Sequence, residues 1–496
     1  MTSNRDNPSV VIIGAGMTGI CLAIKLREAG ITDVVMLEKA ASVGGTWRDN
    51  TYPGVACDVP SHAYTYSFAP NPEWSASIAC GAEIHRYFIG VFEQYDLASI
   101  TRFNDQVVSS IYGENEQGES KWTVATAAGK TYVADILFGA TGMLHQPVLP
   151  DIKGRECFNG VSFHSARWNH DIDLRNKRIG VIGTGSSAAQ LIPELINTEG
   201  TQISVFQRSA HWLVNFESKA YSEKEKQQFR DKPELMQKTK EQSLWWFEKG
   251  TTSLTSNGWK NRWLRKVMAW NARRHIKRSI KDPVLREQLT PDHEIGCNRV
   301  VMNATFYEAI QKNNASLVTQ PIQCIEAAGV RTNDNVLHEL DVLVYATGFD
   351  PFAYMRPMTF LGKNGMTIDK QWEQKMQAYR SLLVPNFPNF FLMLGPNSPV
   401  GNYSIIAISE IQSDYAIDLV KSWQRGEMDT IEVRDEAVQQ WNAMLGSRLK
   451  NTVWATGCSS WYQDDKGDIF SWPDSWKRWC ELMAKPDLND FHSSRS

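Results

Sequence analysis

Val10-Val11-Ile12-Ile13 runs straight into Gly14-Ala15-Gly16-Met17-Thr18-Gly19, and the same design returns at Ile179-Gly180-Val181-Ile182 followed by Gly183-Thr184-Gly185-Ser186-Ser187-Ala188. In each, a short apolar strand ends in a glycine-rich turn and a helical pattern follows. Strand, turn and helix together make a pyrophosphate cradle: glycines let the backbone approach, and the helix N-terminus meets the negative charge. One such match is weak. Two in one chain imply two dinucleotides, and the usual pair is a flavin and a nicotinamide. The expected fold is α/β, with two Rossmann-like dinucleotide-binding domains.

The two units end differently. The first closes on Val34-Val35-Met36-Leu37-Glu38. An acidic residue there, about 20 residues past the glycines, is placed to hydrogen-bond an adenosine ribose diol. Glu38 therefore fits FAD. The second closes on Ile203-Ser204-Val205-Phe206-Gln207-Arg208-Ser209, without a carboxylate. A carboxylate would repel a 2′-phosphate, whereas a guanidinium can fork onto it, so Arg208 argues for NADPH over NADH.

Bulk properties set the frame. The chain has 496 residues, room for two or three domains, and a net charge of -3. That balance makes no electrostatic case for nucleic acid or an anionic membrane surface. Met1–Ser9 are polar and lack the apolar core of a signal peptide. No run approaches the roughly 18 apolar residues of a membrane span. The eight cysteines form no C-x-x-C pair and read as free thiols in a reducing cytosol, so a cytoplasmic location is expected. No metal site is expected. Most of the 18 tryptophans are expected to pack cores, with some available to line an apolar pocket.

Composition divides the chain into an FAD-binding first part at 1–150, an NADP-binding first part at 151–216, an insertion at 217–292, an NADP-binding second part at 293–349 and a flavin-domain completion at 350–496. The insertion is rich in Lys, Arg, Glu, Gln and Trp, with helix-period apolar positions around Leu244–Phe247 and Leu264–Trp270. It reads as a helical insertion in the second domain whose charges form a solvated face. The strand patterns Ala134–Phe138 and Leu340–Tyr345 run into Ala140-Thr141-Gly142 and Ala346-Thr347-Gly348. Each small-residue turn marks a crossing between the nucleotide domains, so the flavin domain is expected to be discontinuous.

Between the two units lies Phe158-Asn159-Gly160-Val161-Ser162-Phe163-His164-Ser165-Ala166-Arg167-Trp168. Its spacing, Phe-x-Gly-x-x-x-His-x-x-x-Trp, resembles the fingerprint of type I Baeyer–Villiger monooxygenases. Asn169 departs from the Pro or Asp usual at the next position. Trp168 favours that chemistry over sibling flavin monooxygenases that oxidise nitrogen or sulfur and carry a different aromatic. Gly44-Gly45-Thr46-Trp47, then Tyr52-Pro53-Gly54 and Asp58, resembles a second segment of the same family. There Gly45 and Thr46 can approach the flavin closely and Trp47 can pack beside it. Thr18, Tyr64, Val107, Thr184, Ser186, Ser187 and Gln190 complete the candidate cofactor-binding set with Gly14, Gly16, Gly19, Glu38, Gly183, Gly185, Arg208 and Ser209.

The resemblance implies that NADPH reduces FAD, that dioxygen adds to give a C4a-peroxyflavin, and that the peroxide attacks a ketone to yield an ester or lactone. Such a site must stabilise developing negative charge while excluding water, which a fixed cation near the flavin does. Arg299, in Gly296-Cys297-Asn298-Arg299-Val300, resembles the family's catalytic arginine, and Asp58 the carboxylate that orients it. A guanidinium stays cationic throughout and spans two acceptors. Asn298 stands where the family commonly has a lysine for the 2′-phosphate, leaving Arg208 and the Ser209 hydroxyl to discriminate and implying a weaker preference over NADH. Trp461, in Cys458-Ser459-Ser460-Trp461-Tyr462, resembles a tryptophan that closes over nicotinamide and substrate, with a structural role the alternative. His164 reads as an anchor of linker geometry rather than a base. Aromatic richness suggests a small apolar ketone, with molecular oxygen as co-substrate.

Three other readings compete. Disulfide reductases also join two dinucleotide folds, but need a redox-active cysteine pair after the first motif, and Cys57 has no neighbour at that spacing. A nitrogen- or sulfur-oxidising monooxygenase shares the flavin chemistry. A nucleotide sensor without turnover would have no need of Arg299, Asp58 and the Gly-Thr-Trp loop together.

Overall fold

The computed structural model describes residues 5–114, 118–256, 258–401, 403–457 and 462–492. Val10–Ile13 forms the centre of a five-stranded parallel sheet, flanked by Ile136–Gly139 and Phe390–Leu392 on one side and Val34–Leu37 and Thr101–Arg102 on the other. A strand with both faces covered is apolar throughout rather than alternating. Accordingly Val10 and Ile12 pack into one core and Val11 and Ile13 into another. Helix Met17–Glu28 covers the first face, with helix Ile405–Gln424 packed against it. A sheet of strands Val107–Glu114, Ser120–Thr126, Thr131–Ala134 and Thr359–Leu361 covers the second.

The second parallel sheet follows the same plan, in the order Ala315–Val318, Gln202–Phe206, Arg178–Ile182, Val342–Tyr345, Val161–His164. The fold is α/β with two dinucleotide-binding sheets. The edge strand Phe390–Leu392 of the first sheet comes from chain beyond the second. The fingerprint segment supplies the edge strand Val161–His164, in which His164 pairs with Tyr345. His164 Nδ1 accepts from the Ala166 backbone N–H at 3.0 Å.

Three local expectations change. The run Ala134–Phe138 is split: Ala134 ends a hairpin strand and Ile136 starts the next, because the Asp135 carboxylate turns aside to accept from Ser9 N–H at 2.9 Å. Four helices, Glu223–Asp231, Pro233–Leu254, Trp259–Ser279 and Pro283–Gln288, occupy the charged stretch. Leu244 and Phe247 pack inward, but in the third helix Arg265, Ala269, Ala272 and Ile276 face in while Trp270 faces out. The cysteines are not all free thiols: Cys21, Cys57, Cys80, Cys157, Cys324 and Cys480 are free, while Cys297 is disulfide-bonded and Cys458 lies outside the described residues. Sequence spacing registers only cysteines that are neighbours in the chain. Among the described residues, no helix is long and apolar enough to cross a membrane.

Candidate active site

Both glycine turns carry the geometry their pattern requires. Gly14 has φ +108°, and a Cβ there would lie 2.6 Å from the Ala140 carbonyl oxygen. Gly183 has φ +113°, with the Ala346 carbonyl oxygen 2.5 Å from the equivalent point. Each strand end is thus pressed against the first residue of one of the two Ala-Thr-Gly turns. Gly16 and Gly185 cap the following helices without any side-chain hydrogen bond. The N–H groups of each first turn are left for an anion. These residues fit two dinucleotide pyrophosphates.

The first nest is closed over by its own neighbourhood. Gly44 N–H donates to Ala15 O at 3.1 Å, and a Cβ on Gly45 would sit 3.1 Å from Gly16 Cα, so the Gly44-Gly45-Thr46-Trp47 loop lies directly on the turn. Thr46 opens a short helix, and Trp47 Nε1 donates to Tyr64 Oη at 3.0 Å. Glu38 is 4 % exposed; its Oε2 accepts from Ala15 N–H and its Oε1 from Ala40 N–H, both at 2.9 Å. Arg48, not singled out from the sequence, donates to Glu38 Oε1 at 3.0 Å. A carboxylate oxygen takes about two hydrogen bonds, so Oε2 keeps capacity for a ribose hydroxyl. Val107 begins its strand with a side chain buried beside Ile13 and Leu37. Thr18 is turned to the other side of its helix, where its hydroxyl meets Ser409 Oγ at 2.9 Å.

The second unit ends on exposed residues. Arg208 and Ser209 are exposed, and the Thr184 hydroxyl donates to Ser209 O at 3.2 Å. Ser186 and Ser187 sit half-buried in the first helical turn. Gln190 is spent on the other domain: its Nε2 donates to Ala56 O at 3.1 Å and its Oε1 accepts from Tyr52 Oη at 2.9 Å. Burial pushes the Tyr52 phenol up to about 12. Gly54 packs on the same helix, where a Cβ would meet Gln190 O at 2.6 Å. The Tyr52-Pro53-Gly54 loop is therefore a contact between the two nucleotide units. Asn298 Nδ2 and His293 Nε2 lie 3.4 Å apart. Burial, then the neighbouring His293 and Arg208, push His211 down to about 4.

Arg299 and Asp58 meet across that contact. Asp58 follows the segment held by Gln190. Arg299 precedes strand Val301–Met302, which pairs with Leu213–Val214 just beyond Arg208. Separated by 241 positions, they are joined by Arg299 Nε and Nη2 donating to Asp58 Oδ2 at 2.9 and 2.5 Å. Their side chains are 30 % and 24 % exposed, so the pair is sheltered yet reachable. Burial works against the guanidinium charge, but Asp58, with Tyr462 and Cys57, more than offsets it and holds Arg299 above its ordinary range. Arg299 Nη1 also donates to Gly401 O at 3.4 Å. Tyr462 lies beside it, its phenol pushed up by burial and eased down by the arginine. Tyr462 and Phe352, Val400 and Phe470 line an apolar cleft at this point. Tyr462 had no sequence signal beyond its place after Trp461, which itself lies outside the described residues.

The family profile described as pyridine nucleotide-disulphide oxidoreductase matches residues 11–232, the stretch holding both nests. An uncharacterized monooxygenase of Mycobacterium tuberculosis is 43% identical over 466 residues, 94% of this chain and 92% of that one. A Baeyer-Villiger monooxygenase of Streptomyces coelicolor is 36% identical over 495 residues, covering 99% of this chain and 93% of its own. Among solved structures, OTEMO in complex with FAD and NADP superposes with a TM-score of 0.85 at 26% identity, over 96% of this chain and 97% of that one.

Proposed function

The chain belongs to the Baeyer–Villiger monooxygenase family, and from that premise we propose that Arg299, oriented by Asp58, is the cation at which the oxygen-insertion step is stabilised. The enzyme uses FAD and NADPH to insert one oxygen atom from dioxygen beside a ketone carbonyl, giving an ester or lactone. The flavin, when bound, supplies the activation of oxygen. The protein's contribution is binding, orientation and charge stabilisation.

Each residue has a defined task in this reading. Gly14, Gly16 and Gly19 admit the FAD pyrophosphate, and Glu38 takes the ribose. Gly45, Thr46 and Trp47 close over that cofactor, with Tyr64 fixing the Trp47 indole. Gly183, Thr184, Gly185, Ser186 and Ser187 receive NADPH, whose 2′-phosphate meets Arg208 and Ser209. Arg299 offers fixed donors to an oxyanion; Asp58 accepts from two of its nitrogens and so sets the plane of the fork. Gln190 and Thr18 act through hydrogen bonds with Ala56, Tyr52 and Ser409, and Val107 through packing. The nucleotide units divide as 1–150 with 350–496, and 151–216 with 293–349, the helices of 217–292 forming the insertion. The apolar side chains of Phe352, Val400, Tyr462 and Phe470 beside Arg299 support an apolar ketone as the substrate class.

The observation that carries this reading is the Arg299–Asp58 pair, built from one side chain of each nucleotide unit. The test is product analysis by mass spectrometry of FAD-loaded enzyme with NADPH, labelled dioxygen, a panel of ketones and one thioether. The expected result is an ester or lactone carrying one labelled oxygen. Sulfoxide alone would overturn oxygen insertion in favour of heteroatom oxidation.

A further inference from the structure

Helix Trp259–Ser279 reads WKNRWLRKVMAWNARRHIKRS and contains no Asp or Glu. The net charge of -3 for the whole chain conceals this local excess. Trp259, Trp263 and Trp270 are 72, 64 and 56 % exposed. At 3.6 residues per turn they fall within about 40° of one another, a single stripe. Lys266 and Lys277 share that stripe, and both are exposed. Lys260 lies over the Trp259 ring at 5.5 Å and Arg274 over the Trp270 ring at 5.2 Å. The preceding helix adds Trp245 and Trp246, 50 and 70 % exposed.

Tryptophan is usually well buried in a folded domain, and an exposed apolar patch of this kind marks an interaction site. We propose that helix Trp259–Ser279 is a docking face for an anionic lipid bilayer surface. An aromatic stripe bordered by cations, on a helix that carries no carboxylate of its own, is the arrangement that lies in the headgroup region of a membrane. Indole rings suit the boundary between water and acyl chains, and each Lys or Arg is drawn to anionic headgroups. The helix is held rigidly from behind. Arg265 Nε donates to Glu294 Oε1 at 2.7 Å, and Arg273 stacks over buried Trp212, whose Nε1 donates to His293 O at 3.0 Å. The segment 293–299 thus lies directly behind the docking helix. Docking itself does not rest on the oxygen-insertion reading.

The test is co-sedimentation of the FAD-loaded enzyme with vesicles of phosphatidylcholine alone and of equal parts phosphatidylcholine and phosphatidylglycerol. Binding to the mixed vesicles is expected to exceed binding to phosphatidylcholine by about tenfold and to weaken with added salt. The triple variant Trp259→Ala, Trp263→Ala, Trp270→Ala is expected to lose about tenfold in binding, and Lys266→Glu with Lys277→Glu, at solvent-facing positions that leave the core intact, a similar amount. Flavin content reports whether each variant is folded. Equal pelleting with both vesicles would overturn the proposal, as would full binding by the tryptophan variant. So would self-association in the absence of lipid that the tryptophan variant abolishes, which would make a second copy the occupant. Tighter binding to single-stranded DNA than to the mixed vesicles would equally reject a lipid surface.

Discussion

The two nests share a backbone and differ in how they are finished. Gly14 and Gly183 have nearly the same φ, and each is pressed to a carbonyl of the neighbouring strand's end. Beyond that point they diverge. The third glycine position is Gly19 in the first, where a Cβ would fall 2.0 Å from Gly14 O, but Ala188 in the second. Glu38 is buried under Arg48 and two backbone N–H groups, while Arg208 stands exposed. The first unit has a loop lying directly on its turn, and the second ends on the exposed Arg208 and Ser209. A turn covered by a loop suits a cofactor that stays through turnover, and an exposed end suits a cofactor that must come and go.

The largest effect is expected from a residue that belongs to neither nest's glycine turn. Arg299→Ala removes the fixed cation and is expected to lower ester formation by about 10²–10³-fold, the usual cost of losing one preorganised donor. FAD content and NADPH oxidation should persist, because both nests remain. Wild-type ester yield from this variant would remove Arg299 from the chemistry. Asp58→Asn is expected to fall short of that loss, since it turns the fork without deleting it.

The next effect separates the nests directly. Gly14→Ala and Gly183→Ala introduce the same clash with a backbone carbonyl and the same strained φ, about 1–2 kcal/mol or more each. Gly14→Ala is expected to yield protein poor in flavin, measured by its visible absorbance against total protein. Gly183→Ala is expected to stay yellow and to bind NADPH roughly tenfold more weakly. Parallel flavin loss in both would show that the nests do not fold independently.

Arg208→Ala probes the exposed end. Loss of a charge-assisted contact to the 2′-phosphate, about 1.5–3 kcal/mol, is expected to raise KM for NADPH by roughly tenfold or more while leaving NADH nearly unchanged. Equal increases for both cofactors would reject the phosphate contact. The smallest effect belongs to Thr18→Val. Its hydroxyl bonds Ser409 rather than facing the glycine turn, so a loss of about 1 kcal/mol in stability is expected, with flavin affinity unchanged. A marked drop in flavin affinity at unchanged stability would return Thr18 to the cofactor.

Legibility followed sequence distance. Both glycine turns, Glu38 and Arg208 could be proposed from the sequence because strand, turn, helix and second strand are contiguous, and the φ that only glycine accepts is a local demand. Asp58 and Arg299 were picked out through family resemblance, since no spacing rule links positions 241 apart. Gln190 stands apart: it belongs to the candidate cofactor-binding set, and in the structure its amide bonds Ala56 of the other unit. Arg48 and Tyr462 carried no signal because their importance lies in the neighbours that folding brings them.

By itself, then, the amino-acid order specified two strand, glycine-turn and helix units and the acidic or basic residue that closes each, for these depend on dihedral preference and charge over a few turns of chain. Tertiary structure alone decided that Asp58 would fix the plane of Arg299, that Glu38 would be buried while Arg208 stayed exposed, and that Trp259, Trp263 and Trp270 would face outward. Periodicity states that a helix has an apolar stripe, but not whether a core covers it. Here Arg265, Ala269, Ala272 and Ile276 took the inward face, and the tryptophans were left to solvent.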